Sequence, residues 1–265
     1  METVIDIVDV SWKRQGQFIL SDIDWKVWKG EHWALLGLNG SGKTTLLNMI
    51  NGYIWPTTGR VSVLGQVFGE TDMRELRKSI GWVSSSLQER LQETATAEEI
   101  VVSGKFASIG LYESTNDTDF EKAYHIMDQL GCSHIIGRTY QTCSQGEKQK
   151  ILIARGLMGS PELLILDEPT SGLDFLARED LLLVVENLAA QDNTPTIIFV
   201  THHIEEILPA FSKSLLLREG SVFKKGYTKD ILTTDTLSKF YSTPVEVERK
   251  NNRFLMSVPV TSRYL

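Results

Sequence analysis

The spacing of apolar and polar residues predicts strands in the first part of the chain, helices in the middle and an alternation of both afterwards. Before residue 80 most segments alternate, and one such segment places Ile23, Trp25 and Val27 on one face of a strand. Between about residues 86 and 160 the apolar residues recur with helical spacing instead. The helical segments predicted there are Glu98 to Phe106, Asp119 to Leu130 and Gln149 to Met158.

Strand-like apolar runs return after residue 160. They are Leu163 to Leu166, Thr196 to Val200 and Ser214 to Leu217, with a predicted helix at Phe175 to Ala190. Because strands that alternate with helices form mostly parallel sheets, the predicted fold class is α/β. We expect a mostly parallel core sheet, an antiparallel β-subdomain and a helical subdomain. In the tail, two short apolar-rich runs, Val245 to Glu248 and Phe254 to Val258, flank an Asn-Asn turn and favour a terminal β-hairpin.

A glycine-rich loop lies between the apolar run His32 to Leu36 and a predicted helix, Thr45 to Asn51. Glycines let backbone N–H groups turn inward and cradle phosphate oxygens, and the helix N-terminus adds a partial positive charge. The strand, loop and helix order is the context that a phosphate-binding loop requires. Lys43 would reach the β- and γ-phosphates of ATP, and the Thr44 hydroxyl would ligate Mg²⁺. The predicted ATP-binding residues are Gly37, Leu38, Asn39, Gly40, Ser41, Gly42, Lys43, Thr44 and Thr45.

Two carboxylates follow the continuous apolar run Leu163 to Leu166. Such a run suits a buried parallel strand, and ligands of open α/β sheets bind at the carboxyl ends of these strands. Asp167 would hold Mg²⁺ through water, and Glu168 would polarise the attacking water as general base. The sequence therefore predicts a nucleotide-hydrolysing site and not a binding loop alone.

A short polar run precedes the predicted helix Gln149 to Met158, and reads Cys143-Ser144-Gln145-Gly146-Glu147. With this run and the motifs above, the chain resembles the nucleotide-binding subunits of ATP-binding cassette (ABC) proteins over about residues 1–230. The run resembles the family's signature motif, Leu-Ser-Gly-Gly-Gln, in which Ser144 and Gly146 match and the other three positions depart. The resemblance implies that Ser144 and Gly146 contact ATP held by another subunit. The active form would then be a homodimer or paired cassette with ATP at its interface.

Two further motifs strengthen the resemblance. Ser171-Gly172-Leu173-Asp174 is similar to the family's D-loop, which implies that Asp174 lies at the dimer interface near the catalytic carboxylate. His202 follows the run Thr196 to Val200 and resembles the family's switch histidine. It would contact the γ-phosphate and hold the attacking water and Glu168 in register. His203 has no equivalent role.

The chain departs from the family at the Q-loop. In Ile80-Gly81-Trp82-Val83-Ser84-Ser85 the family's glutamine is replaced by Ser85, and Gln88 lies one helical turn further on. Serine is too short to span the same distance to Mg²⁺. Either water bridges Ser85 to the metal or Gln88 reaches it from a shifted loop.

The adenine-stacking position is a second departure. Arg14 or Gln15 falls near the place of the usual aromatic residue, with Trp12 nearby. Trp12 could stack on the base if the loop register differs, or Arg14 could stack through its guanidinium plane. The alternative for Trp12 is a place in the core of the β-subdomain.

The composition limits the kinds of partner that we expect the chain to bind. The 265 residues carry a net charge of −7, and duplex-binding proteins usually show a basic face, so no nucleic-acid partner is expected. Cys132 and Cys143 are too few for a disulfide framework or a metal quartet. No run approaches the roughly 20 apolar residues of a membrane span, and the N-terminus lacks a signal-peptide pattern. We expect a cytoplasmic protein, held peripherally on the cytoplasmic face of a membrane by partner subunits.

The function that the resemblance implies is hydrolysis of ATP to ADP and phosphate by a subunit of an ABC transporter, with ATP-driven dimer closure energising transport. Two segments, Ala97 to Lys105 and Ile109 to Tyr112, resemble the helical lobe of importers for metal chelates, cobalamin or molybdate. The other interpretation of these segments is ordinary helix packing. The expected cargo is a metal, chelate or oxyanion. The expected partners are polytopic membrane permease subunits and, indirectly, a substrate-binding protein.

An alternative function is a soluble ABC ATPase without a transporter, acting in cofactor assembly or nucleic-acid maintenance. The net negative charge argues against a role in nucleic-acid maintenance. For the domain organisation we expect an ABC ATPase domain over residues 1–235, into which the helical subdomain of about residues 86–160 is inserted. Residues 236–265 would form a short C-terminal extension.

Overall fold

The structure, a computed structural model, describes residues 2–88, 90–106 and 115–259, and of Ser85 and Ser86 it describes only the backbone. The strands are β1 (Thr3–Arg14), β2 (Gln17–Trp28), β3 (Trp33–Gly37), β4 (Thr58–Val63), β5 (Gln66–Val67), β6 (Ile80–Val83), β7 (Leu163–Asp167), β8 (Thr196–Thr201), β9 (Lys213–Arg218), β10 (Ser221–Tyr227), β11 (Glu246–Lys250) and β12 (Arg253–Ser257). The α-helices are α1 (Lys43–Ile50), α2 (Met73–Lys78), α3 (Ser85–Gln88), α4 (Ala97–Ser103), α5 (Asp117–Gln129), α6 (Gln145–Met158), α7 (Phe175–Ala189), α8 (Thr228–Ile231) and α9 (Thr234–Tyr241). The chain divides into a first unit, residues 2–71 with 198–259, and a second unit, residues 72–197.

The first unit contains an antiparallel sheet and a group of parallel strands. The antiparallel sheet has the order β2-β1-β4-β5. Strand β3 pairs in parallel with β8 on one side and β9 on the other, and β10 pairs antiparallel with β9. Every residue of β3 is buried, as expected for a strand covered on both faces. The Trp25 and Trp33 rings meet edge to face at 5.7 Å and so pack β2 against β3.

The alternation predicted for β2 is present in the structure. Ile23, Trp25 and Val27 are buried, whereas the intervening Asp24 and Lys26 are exposed. Burying three large side chains of one strand contributes several kcal/mol, at about 1.5–3 kcal/mol for each. This face, and not strand propensity, fixes the register of β2.

In the second unit, strands β6 and β7 pair in parallel and helices α4, α5 and α6 pack together. The helices are joined by polar contacts as well as by apolar packing. The Arg155 guanidinium donates from Nε to Ser103 Oγ at 3.2 Å, which links α6 to α4. Lys105 and Asp119 form an ion pair at 2.7 Å, which holds α5 beside the end of α4. The pKa of Asp119 is lowered, chiefly by the hydrogen bond from Lys105.

Several elements of the structure differ from the sequence-based prediction. Helix α2 lies where only strands are expected, because Asp72 caps it by accepting a hydrogen bond from Arg74 N at 2.8 Å. Helix α6 begins at Gln145 and not at Gln149, because Ser144 caps it. Strand β10 and helix α9 are absent from the sequence-based assignment. The segment Ile109 to Tyr112 lies outside the described residues.

The described part of the tail ends in a hairpin. Strands β11 and β12 pair antiparallel from Glu246 opposite Ser257 to Lys250 opposite Arg253. Asn251 and Asn252 form the turn, with φ of 50° and 60°. Both angles lie in the left-handed region, which asparagine tolerates better than most residues and which two-residue hairpin turns require.

No helix among residues 2–88, 90–106 and 115–259 is long and apolar enough to cross a membrane.

The close approach of α4 and α6 gives a stability prediction. A Cβ added at Gly104 would lie 2.0 Å from the backbone oxygen of Arg155, so the helices cannot accept it without moving apart. We expect Gly104→Ala to lower the free energy of unfolding by about 3 kcal/mol, measured by urea denaturation.

Gly156→Ala is the matched control for Gly104→Ala. Its new Cβ would meet two side-chain ends, Leu164 Cδ1 at 3.2 Å and Val83 Cγ2 at 3.4 Å, and would lie at an ordinary contact distance of 3.9 Å from the backbone Cα of Gly81. The gain in helix propensity, about 1 kcal/mol, should offset that crowding. Equal destabilisation by the two variants would contradict the proposed backbone clash.

Candidate functional site

The phosphate-loop motif lies between β3 and α1 in the first unit. Gly40 and Gly42 adopt φ of 78° and 102°, in the region that favours glycine. Gly42 is the N-cap of α1 and makes no side-chain cap bond, so the N–H groups of the first turn of α1 are not capped by this residue. A Cβ added at Gly40 would meet nothing within 4 Å, so the loop is open on that side.

The polar atoms of this loop suit an anion. Ser41 is only 4 % exposed, and its Oγ has no hydrogen-bond partner among the described residues. The Lys43 ammonium is also buried, and it donates to Gly37 O at 2.7 Å and to Leu38 O at 3.3 Å. A buried hydroxyl without a partner and a buried cation both gain when a phosphate oxygen arrives. The residues therefore fit the phosphates of a nucleotide.

The histidine singled out from the sequence follows β8, in the same unit. His202 is half-buried, and its ring centroid lies 4.0 Å from that of the exposed His203. The turn is fixed by Thr201, whose hydroxyl donates to Glu206 Oε2 at 2.6 Å and accepts from His203 N at 3.0 Å. Thr201 and Glu206 are buried, and sequence reasoning missed both because their contact becomes visible only when the turn is folded.

The candidate adenine-contacting residues lie in or next to β1. Trp12 is half-buried and faces Leu20 of β2 in the strand register, so it is not part of the fully buried core. Arg14 ends β1 and is exposed. Gln15 lies in the following turn with φ of 51°. Trp12 is therefore the one aromatic ring among these three candidates.

The carboxylates occupy the predicted end of β7, in the second unit. Asp167 is the last residue of the strand and Glu168 is the next, and both are half-buried. Glu168 has φ of 50°, an angle that costs a non-glycine residue of order 1 kcal/mol or more and recurs at functional sites. Its carbonyl accepts from Ser171 N at 3.1 Å, which closes a tight turn beside the carboxylate.

The signature-like run forms the start of α6. Ser144 Oγ accepts from Glu147 N at 3.3 Å, and Ser144 N donates to Glu147 Oε2 at 2.7 Å, a reciprocal capping box. Glu147 also accepts from Arg138 at 3.1 Å and lies 3.1 Å from His134 Nε2. Partial burial alone would raise the pKa of Glu147, but the bonds to Ser144, His134 and Arg138 lower it. The carboxylate that replaces the family's glutamine therefore stays ionised, and its charge is balanced by these neighbouring donors.

The two motifs proposed for a dimer interface lie close together in the second unit. Asp174 caps α7 by accepting from Ala177 N at 3.0 Å. A Cβ added at Gly146 would lie 3.3 Å from the Ala177 side chain, a tight contact, so α6 and α7 approach closely at this point. Ser144, Gly146 and Asp174 therefore belong to one local structure.

The Gln88 side chain contacts α6. Its Nε2 donates to Gln145 Oε1 at 3.1 Å, and its Oε1 accepts from Gln149 Nε2 at 3.3 Å. Sequence reasoning missed Gln145 and Gln149, although a glutamine where the family's motif has glycine was a signal. The side chain of Ser85 lies outside what the structure describes, so the water bridge from Ser85 to the metal stays a prediction.

The sequence profile described as ABC transporter matches residues 20–171, more than half of the chain. The chain belongs to the ABC transporter family. This ABC ATPase is 52% identical over 245 residues to the ABC transporter ATP-binding protein YlmA of Bacillus subtilis, covering 92% of this chain and 93% of that protein. It is 29% identical over 264 residues to the molybdate import ATP-binding protein MolC of Haemophilus influenzae, covering 98% of each.

The solved structures show the same fold. A protein assigned to the metal-chelate type of ABC transporter, in an inward-facing conformation, aligns with a TM-score of 0.77 and 27% identity over 96% of each chain. The α/β cassette fold and the family resemblance predicted from the motifs are confirmed. This ABC ATPase is an ATP-hydrolysing, ATP-binding subunit of an ABC transporter, which favours the transporter over the soluble alternative.

The amide contacts of Gln88 give a prediction about hydrolysis. Gln88→Ala and Gln149→Ala should each lower the ATPase kcat by about two- to tenfold, the effect of losing one hydrogen bond of about 1 kcal/mol next to Ser144. The Mg²⁺ concentration for half-maximal activity should stay unchanged, as measured in steady-state assays. Gln129→Ala, on the exposed face of α5, is the control. A raised Mg²⁺ requirement in Gln88→Ala alone would instead support Gln88 as a metal ligand.

Proposed function

We propose that this ABC ATPase energises uptake of a metal, chelate or oxyanion through separate polytopic membrane permease subunits. The observation that carries the proposal is the likeness, over almost the whole chain, to a molybdate importer's ATP-binding protein. The likeness to a protein assigned to the metal-chelate transporter type points to the same cargo class. A substrate-binding protein would deliver the cargo to the permease and have no direct contact with this chain. The ATPase itself would lie on the cytoplasmic face of the membrane, held by the permease.

The phosphate loop would bind the β- and γ-phosphates of the substrate ATP. The buried Ser41 hydroxyl and the Lys43 ammonium supply donors in a site that holds them in place before binding. Thr44 and Asp167 would hold Mg²⁺, a hard cation that prefers hydroxyl and carboxylate oxygens and that offsets phosphate charge when bound. The Trp12 ring would stack on adenine.

Hydrolysis would depend on two side chains. The Glu168 carboxylate would accept a proton from the attacking water as general base. His202 would donate to the γ-phosphate and orient that water, so that the attack follows a productive line. The capped turn after β8 and the turn after β7 hold these residues before the substrate binds.

The motifs of the second unit would act on ATP bound by another copy. The Ser144 hydroxyl accepts a bond from Glu147 N, which leaves its own proton for a γ-phosphate oxygen. Gly146 packs near Ala177 at the helix N-terminus, and Asp174 lies at the start of the adjoining α7. We propose that two copies close on two ATP molecules and that hydrolysis opens them.

Helix α4, within the helical subdomain proposed for residues 86–160, would carry the surface that binds the permease. Its capped start at Thr96 and the buried Ile100 and Val101 fix its position on α6, so that its outer face moves with the signature motif. Closure of the dimer would then be transmitted to the membrane partner.

Elemental uptake tests the proposal directly. Cells lacking the chain, complemented with wild type or with Glu168→Gln, would be exposed to molybdate, tungstate and transition-metal chelates, and their metal content measured by mass spectrometry. We expect one of these species to accumulate only with wild type. Identical metal content in all strains, together with purification of the Glu168→Gln protein free of any membrane chain, would contradict the importer role.

A further inference from the structure

Helix α9 and the hairpin β11–β12, residues 234–257, form a C-terminal strap. The strap is internally joined, since Val245 N donates to Ser238 Oγ at 3.0 Å and Val247 N donates to Thr234 Oγ1 at 3.0 Å. Phe254 of β12 is buried, so the hairpin is packed and not only tethered. Helix and hairpin can therefore transmit a displacement from one end to the other.

The first anchor of the strap is at the phosphate loop. The Arg218 guanidinium, at the end of β9, donates from one nitrogen to the carbonyls of Lys239 at 2.8 Å and Phe240 at 3.1 Å, which caps α9. In the next turn Gly220 N donates to Ser41 O at 3.0 Å. Residues of both groups line one cavity of about 190 Å³, among them Ser41 of the phosphate loop, Arg218, and Phe240 and Tyr241 of α9.

The second anchor is at the turn that follows His202. Arg253 of β12 donates from Nε to Glu205 O at 2.7 Å. Burial and, to a smaller extent, the nearby Glu205 carboxylate raise the pKa of Tyr241, the last residue of α9, to about 12. Strand β12 therefore contacts the 3₁₀ turn Ile204–Glu206, which lies two to four residues beyond His202 on its C-terminal side.

We propose that the strap positions His202 with respect to the phosphate loop, and that Arg253 is the positioning residue. All of these contacts lie in the first unit, where the loop and the histidine turn are otherwise far apart in the sequence. Glu206 holds the turn from inside through Thr201, and Arg253 holds it from outside through Glu205. The inference rests on the role proposed for His202.

The test is steady-state ATP hydrolysis and ATP binding by the full-length Arg253→Ala protein. We expect kcat to fall about tenfold, since small displacements of an orienting group are costly in the transition state, while ATP affinity is unchanged. Arg253→Lys should recover part of the loss because an ammonium can also donate to the Glu205 carbonyl. Arg249→Ala is the matched control, since Arg249 lies on the same hairpin and contacts Asn252 and Phe254 instead.

The outcomes separate this inference from the proposed function. Unchanged kcat in Arg253→Ala, with kcat abolished in His202→Ala, would overturn the strap and leave the role of His202 intact. Undiminished kcat in His202→Ala would overturn that role and the inference with it. A parallel fall in kcat, ATP affinity and thermal midpoint, matched by Arg249→Ala, would show a purely stabilising hairpin and also overturn the inference.

Discussion

Glu168→Gln is expected to abolish turnover while preserving ATP binding, and to accumulate a dimer in the presence of ATP. The substitution replaces the carboxylate with an amide of nearly the same shape, so the turn after β7 and its positive φ should persist. An amide cannot accept the proton of the attacking water at neutral pH. Loss of a general base reduces kcat by at least about 100-fold. The measurements are phosphate release for turnover and size-exclusion chromatography with light scattering for the dimer.

Glu162→Gln is the matched control for this prediction. Glu162 is exposed and lies just before β7, at the end of the strand opposite Asp167. Its variant should hydrolyse ATP at the wild-type rate. Normal hydrolysis by Glu168→Gln would contradict the catalytic assignment. A Glu168→Gln protein that stays monomeric with ATP would contradict the paired-cassette arrangement.

Lys43→Ala is expected to weaken ATP binding by about 100-fold, since charge-assisted bonds to phosphate contribute roughly 1.5–3 kcal/mol each. The ammonium is buried and donates to two loop carbonyls, at Gly37 and Leu38, so removal also frees the loop that would cradle the phosphates. Affinity would be measured by titration with a fluorescent ATP analogue. Binding of adenosine, which lacks phosphates, should change much less.

Two controls accompany the Lys43 variant. Lys29→Ala removes an exposed lysine of the same unit, whose ammonium pairs with Glu2 on the surface, and this variant should bind ATP normally. Thermal denaturation without nucleotide separates a collapsed loop from a lost phosphate contact. An unchanged ATP affinity in a folded Lys43→Ala protein would remove the phosphate loop from the proposed site.

Much of the fold was predictable because its signals are local. The alternation in β2 and the continuous apolar runs of β3 and β7 each report burial within a few consecutive residues. The prediction was wrong at α2, where capping by Asp72 outweighs the strand-like surroundings. It also placed the start of α6 four residues too far along the chain, because polar residues form the first turn of that helix. Polar exposed turns of a helix give no hydrophobic period to detect.

The candidate site divides in the same way. The phosphate loop, the carboxylates after β7 and the Ser144 run are contiguous motifs, so the sequence alone predicts their chemistry, and the family comparison confirms an ATPase. The residues that hold these motifs in place come from elsewhere in the chain. Gln149 bonds Gln88 across 61 positions, and Arg253 bonds Glu205 across 48.

The sequence by itself thus determined the reaction and most of the groups proposed to carry it out, because phosphate binding and water activation need particular residues next to each other along the chain. Only the tertiary structure decided which amides hold the start of α6 and which arginine holds the turn after His202. A single donor and acceptor pair, distant in sequence, leaves no periodic or compositional trace before the chain has folded.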